Sequence, residues 1–129
     1  MKNEVSQLNS ADIIFVNLDP RKGHEQGGER PVVVITPDFM NRLGIVSVLP
    51  ITTKRKGFPF EIPIPSGMMT KGVILGIHFR SLDLKERSWR YLETIPENQY
   101  EMIRDFLKAI LIDNRGIGEL GTGQLCEYA

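Results

Sequence analysis

The densest set of chemically capable side chains lies between Arg21 and Arg30, where Lys22, His24, Glu25, Gln26 and Arg30 alternate with three glycines. Histidine and glutamate exchange protons, and a guanidinium stays charged while offering paired N–H donors to a phosphate. Glycines let the backbone approach a ligand closely, and the following run Pro31-Val32-Val33-Val34-Ile35 fixes the residue at the loop's root, Arg30. Taken alone, the same composition also describes a solvated surface loop.

A second cluster is Thr52-Thr53-Lys54-Arg55-Lys56, hydroxyls at a strand end followed by three cations, a pattern that suits phosphate. Phe58 and Phe60 follow; Phe60 reads as core, whereas Phe58 reads equally as core or as a ring for stacking on a splayed base. Other chemistries lack support. His24 and His78 stand far apart and Cys126 is the single cysteine, so no metal-ligand spacing appears. Gly-x-Ser-x-Gly and Gly-x-x-x-x-Gly-Lys-Ser/Thr are both absent. Phosphate chemistry carried by side chains alone remains.

These residues need a scaffold. Ala11 to Asp19 reads as a strand, with Ile14, Val16 and Leu18 on one face and Ile13 and Phe15 on the other. Further strands are expected over Pro31 to Ile35, Ile45 to Ile51, Phe58 to Ile64, Gly72 to Phe79 and Ser88 to Thr94, with one helical turn from Thr36-Pro37-Asp38 through Asn41. Pro96-Glu97 opens a helix, with Thr94 and Glu97 at capping-box spacing and Tyr100, Ile103, Leu107, Ile110 and Leu111 on one apolar face. Many short strands and one late helix predict a small, curved antiparallel sheet or partial barrel of the α+β class. Residues 1–10 read as a flexible amino terminus and 113–129, with four glycines, as a weakly ordered tail.

The bulk properties set few further bounds. The chain has 129 residues, 41% hydrophobic and 25% charged, which fits one ordinary globular domain. It shows no stretch that would span a membrane and no secretory signal, and the lone cysteine favours a reducing compartment, so a cytoplasmic location is expected. Net charge is zero, yet residues 1–90 carry 13 Lys+Arg against 9 Asp+Glu and residues 91–129 carry 3 against 7. Local excess of +4 permits a nucleic-acid partner without demanding one.

The ordered blocks Asp12-Ile13-Ile14-Phe15-Val16, Asp19-Pro20, Gly23-His24-Glu25-Gln26-Gly27-Gly28 and Arg30-Pro31-Val32-Val33-Val34 resemble the opening of the MazF/PemK/Kid toxins. Pro50-Ile51-Thr52-Thr53, Lys56-Gly57-Phe58-Pro59-Phe60-Glu61 and Arg80-Ser81-Leu82-Asp83 resemble later blocks, so the likeness spans 11–112. It implies a small SH3-like (CcdB/Kid-like) β-barrel with a carboxy-terminal helix, assembled as a homodimer. It also implies a metal-independent, cofactor-free, sequence-specific endoribonuclease that cuts single-stranded RNA, leaving a cyclic phosphate and a free 5′-hydroxyl. The implied partners are a cognate antitoxin and, only through that antitoxin, operator DNA; no membrane is involved.

Carried onto this chain, the resemblance matches the catalytic pair to Arg30 and Thr52, with Glu25 and His24 at acid–base or positioning places. Gln26, Thr53, Lys54, Lys56, Phe58, His78 and Arg80 are the expected RNA contacts. The chain departs from the pattern where Ile77 and His78 replace an Asp-Gln-like pair before Arg80, and where Leu75 replaces the arginine of one branch. That removes an alternative catalytic pair and places more weight on Arg30 and Thr52. Two other readings stay open at this level: a non-catalytic gyrase inhibitor of the CcdB kind, and a homologue that binds an antitoxin or DNA without cutting.

Overall fold

The computed structural model describes residues 1–19 and 28–112 as an α+β fold. Seven antiparallel strands form one sheet: β1 (Asp12–Asn17), β2 (Glu29–Val34), β3 (Ile45–Thr52), β4 (Glu61–Pro63), β5 (Val73–Leu75), β6 (Arg80–Asp83) and β7 (Trp89–Thr94). A single turn, α1 (Asp38–Asn41), links β2 to β3, and α2 (Glu97–Leu111) follows β7. The order is β4-β5-β3-β2-β1-β7, with β6 pairing β3 off this path. The barrel expected from the sequence is therefore not closed by hydrogen bonds, although its α+β class holds.

β3 organises the sheet. One edge pairs with β2 from Val48 to Pro50; the other pairs with β6 over Ile45–Val48 and with β5 over Ile51–Thr52. Alternation then sends residues into two cores. Ile13, Val33, Leu49, Ile51 and Ile74 meet Tyr100 and Ile103 of α2 in the first. Ile14, Val16, Val32, Val34, Val46, Val48 and Leu82 fill the second. Full burial of each such aliphatic side chain contributes about 1.5–3 kcal/mol relative to exposure.

The amino terminus differs from the flexible extension expected. Leu8 is fully buried in the second core, and its carbonyl accepts a 2.9 Å bond from the Asn41 amide. Lys2 pairs with Asp12 at 2.7 Å, and Asp12 also accepts from the Thr94 hydroxyl at 2.6 Å. Thr94 is thus committed to Asp12 and no capping box forms; the helix cap is Pro96, without a side-chain cap bond. On α2, Tyr100 and Ile103 are buried and Leu107 packs partly, but Leu111 lies 60% exposed.

Strand limits moved for local reasons. β2 begins at Glu29, so Pro31 is its third residue rather than its first, and it faces Phe15 where pairing with β3 has already ended. β4 and β5 are shorter than expected, because Phe58 to Phe60 make a turn and the chain bends after Leu75 at Gly76. β6 had no separate expectation. No described helix is long and apolar enough to cross a membrane.

Candidate active site

The β2–β3 ladder runs Val34–Val48, Val33–Leu49, Val32–Pro50 and then stops. The next residues of the two strands on the Val32 face are Arg30 and Thr52. Beyond that point β2 stays with β1, where Arg30 pairs Val16, while β3 turns its pairing to β5, where Thr52 pairs Val73. The two side chains therefore flank the mouth at which the sheet divides, above the buried Val32 and Val48. Both are half-exposed, so each remains reachable from solvent.

Thr52 is held in place from two sides. Its hydroxyl oxygen accepts the Lys54 backbone N–H at 3.1 Å, which leaves the hydroxyl proton to point outward as a donor. Gly72, at φ +117°, presses against its backbone: a Cβ there would fall 2.3 Å from the Thr52 carbonyl oxygen. Only glycine fits both that dihedral and that approach.

The loop carrying His24, Glu25 and Gln26 lies outside the described residues, but its root is visible. The Leu18 N–H donates to the Gly28 carbonyl at 2.9 Å, and the Gly28 N–H donates to the Asp19 carboxylate at 2.8 Å. Arg87 donates to the carbonyls of Asn17 and Asp19 at 2.7 and 2.8 Å. Arg80, opposite Val48 and so on the Arg30–Thr52 face, donates to the Leu18 carbonyl. This guanidinium braces the loop root as well as sharing the site's face.

The basic turn after Thr52 is also pinned. The Glu61 carboxylate accepts the Lys56 and Gly57 N–H groups at 2.9 and 3.1 Å. Burial pushes this carboxyl up, but the Lys56, Gly57 and Phe58 N–H groups and the Arg55 charge outweigh it and hold it below its ordinary value of 4.5. Thr53, Lys54 and Lys56 stay exposed. Beyond them an aromatic row forms: Phe58 stacks on Phe60 with centroids 5.0 Å apart and 12° between planes, and Phe60 meets His78 at 5.8 Å. Phe60 is thus half-buried in this row rather than part of the core, which corrects its sequence reading.

Among the described residues no group of three His, Cys, Asp or Glu stands close enough to hold a metal ion. What the site presents to a ligand is cationic and aromatic.

The fold and this arrangement match known proteins. A family model described as PemK-like, MazF-like toxin of type II toxin–antitoxin system covers residues 9–111. The chain belongs to this PemK/MazF-like toxin family. It is 35% identical over 102 residues to the endoribonuclease toxin MazF of Escherichia coli (strain K12), covering 78% of this chain and 90% of that one. Its fold is similar to MazF from Deinococcus radiodurans, with TM-score 0.75 and 34% identity over 81% of this chain and 96% of the other. A MazE–MazF structure from the same organism matches with TM-score 0.71 and 34% identity, over 84% and 97% of the two chains.

Within this PemK/MazF-like toxin, two positioning residues escaped the sequence reading. Glu61 closes the block that begins at Lys56, and the only sign of its role was a carboxylate five residues after a run of cations. Gly72 left one sign, a glycine directly before an apolar strand.

Proposed function

We propose that this toxin is an endoribonuclease that cuts single-stranded RNA using the RNA's own 2′-hydroxyl as nucleophile. The 2′-oxygen attacks the adjacent phosphorus and the bond from phosphorus to the 5′-oxygen breaks. A 2′,3′-cyclic phosphate and a free 5′-hydroxyl result. The 2′-hydroxyl proton passes to a base, and a proton is delivered to the departing 5′-oxygen. The need for a 2′-hydroxyl restricts the reaction to RNA.

Supporting this reading most is the position of Arg30 and Thr52 as the next same-face pair where β2 and β3 part. Arg30 donates bidentately to the non-bridging phosphate oxygens and stays charged throughout, so its role is charge stabilisation rather than proton transfer. The Thr52 proton, directed outward by the Lys54 N–H, donates to the same phosphate. Glu25 and His24 are the groups of the adjoining loop suited to exchange the protons. Lys54, Lys56 and Arg80 supply positive potential, while Gln26, Thr53, Phe58 and His78 meet the flanking nucleotides. A homodimer held in check by a cognate antitoxin, which alone contacts operator DNA, completes the reading.

Purified protein is expected to cut single-stranded RNA in excess EDTA and to spare DNA of the same sequence. Cleavage abolished by EDTA and restored by magnesium would reject the mechanism.

A further inference from the structure

Strand alternation gives the reverse face of the same two strand ends a chemistry of its own. Pro31 follows Arg30 and Thr53 follows Thr52, and both line a cleft of about 620 Å³ together with Phe15, Lys71, Arg90 and Glu93. Phe15 and Pro31 are paired across β1 and β2, and Phe15 and Arg90 across β1 and β7. The Arg90 guanidinium lies over the Phe15 ring at 4.9 Å from its centroid, while the arginine as a whole is exposed. Its outer face is therefore a flat cation ready to stack on a base or to meet a phosphate.

The cleft's acidic group is already engaged. Glu93 accepts the Met69 and Thr70 N–H groups at 3.1 and 2.6 Å and the Thr70 hydroxyl at 2.6 Å. Those three donors hold the Met69–Lys71 wall in place and offset the carboxylate's charge locally. Lys71 Nζ donates to the Met68 carbonyl at 2.8 Å, yet the lysine remains exposed and keeps further N–H donors for a ligand. Two exposed cations, an arginine-capped ring and a threonine thus surround a space adjoining the proposed cleavage site.

We propose that this cleft is a second RNA subsite, taking the phosphate and base of a nucleotide beyond the scissile bond on the reverse face of β2 and β3. Arg90 stacks on the base and Lys71 meets the phosphate. The β2–β3 ladder has ended at Val32–Pro50, so a single strand crossing at Arg30 and Thr52 passes the open strand ends directly onto Pro31 and Thr53. The inference rests on the RNA reading above, but it concerns binding and not catalysis.

The test uses fluorescein-labelled 2′-O-methyl oligonucleotides, which cannot supply the attacking hydroxyl, so binding is read whether or not the protein cuts RNA. Arg90→Gln and Lys71→Gln are compared with the parent on a 12-mer and a 3-mer by anisotropy, with melting curves and sedimentation alongside. On the 12-mer each variant is expected to bind on the order of fivefold more weakly, and the slope of log affinity against log salt to fall by about 0.7 per lost cation. The 3-mer, too short to span both faces, is expected to bind as before. Unchanged 12-mer affinity and slope would overturn the proposal. So would an equal loss on the 3-mer, which assigns these cations to the cleavage site itself. A change in oligomeric state in either variant would also overturn it, since it would show a second copy of the chain in the cleft.

Discussion

The Thr52 hydroxyl oxygen accepts the Lys54 backbone N–H at 3.1 Å, so the residue that ends β3 has its proton aimed by the first residue of the basic turn. Strand, hydroxyl and cation run are thereby one unit. Thr52→Ala is expected to lower kcat on the order of 10²–10³-fold, the usual cost of one donor to a charged transition state. Thr52→Ser keeps both the acceptor and the proton and is expected to retain most activity. Steady-state cleavage of a defined RNA checks this; equal losses in both variants would assign Thr52 a packing role.

Gly72 tests the same position from behind. An alanine Cβ would meet the Thr52 carbonyl at 2.3 Å, with φ at +117° adding strain. Gly72→Ala is expected to lose about 2–4 kcal/mol of stability and cleavage with it, because the backbone of Thr52 must shift. Denaturant midpoints and cleavage rates measure the two effects. A stable variant with full activity would contradict the contact.

Glu61 links the basic turn to pH. A carboxylate whose folded value lies below its ordinary 4.5 stabilises the fold above that value and loses the contribution as pH falls through the folded value. Glu61→Gln is expected to be less stable than the parent at neutral pH, with the two converging below pH 4.5. Its KM for RNA is expected to rise more than kcat falls, since the turn of Lys54 and Lys56 loosens. Melting curves from pH 3 to 7 would reveal parallel profiles if the pinning contributed nothing.

Phe58 ends the row that continues through Phe60 to His78. Phe58→Ala is expected to weaken RNA binding by about 1–3 kcal/mol, and Phe58→Trp to preserve it. Titration with uncleavable RNA analogues decides the matter. Equal affinity for all three proteins would leave the row a packing feature.

Parts of this molecule were legible in its residues and parts were not, for definite reasons. Alternating aliphatics marked β1, β2 and β3 because both their faces are buried. β6 escaped because Arg80-Ser81-Leu82-Asp83 buries only Leu82. The capping box failed because Thr94 meets Asp12, 82 positions earlier, a contact no local pattern encodes. The Arg30–Thr52 pair came from its neighbours' chemistry and a family likeness, whereas its facing geometry needed the β2–β3 register. The reverse cleft was invisible, since Phe15, Pro31, Thr53, Lys71 and Arg90 come together only through pairing of distant strands.

Arg30 is the residue on which the account depends most. Its most direct test is single-turnover cleavage of one single-stranded RNA in EDTA by the parent, Arg30→Ala and Arg30→Lys. Arg30→Ala is expected to be slower on the order of 10³-fold while remaining folded. Arg30→Lys is expected to recover part of the rate, since a lysine restores charge without the bidentate fork. If folded Arg30→Ala cut RNA as fast as the parent, the placement of the scissile phosphate between β2 and β3 would be wrong.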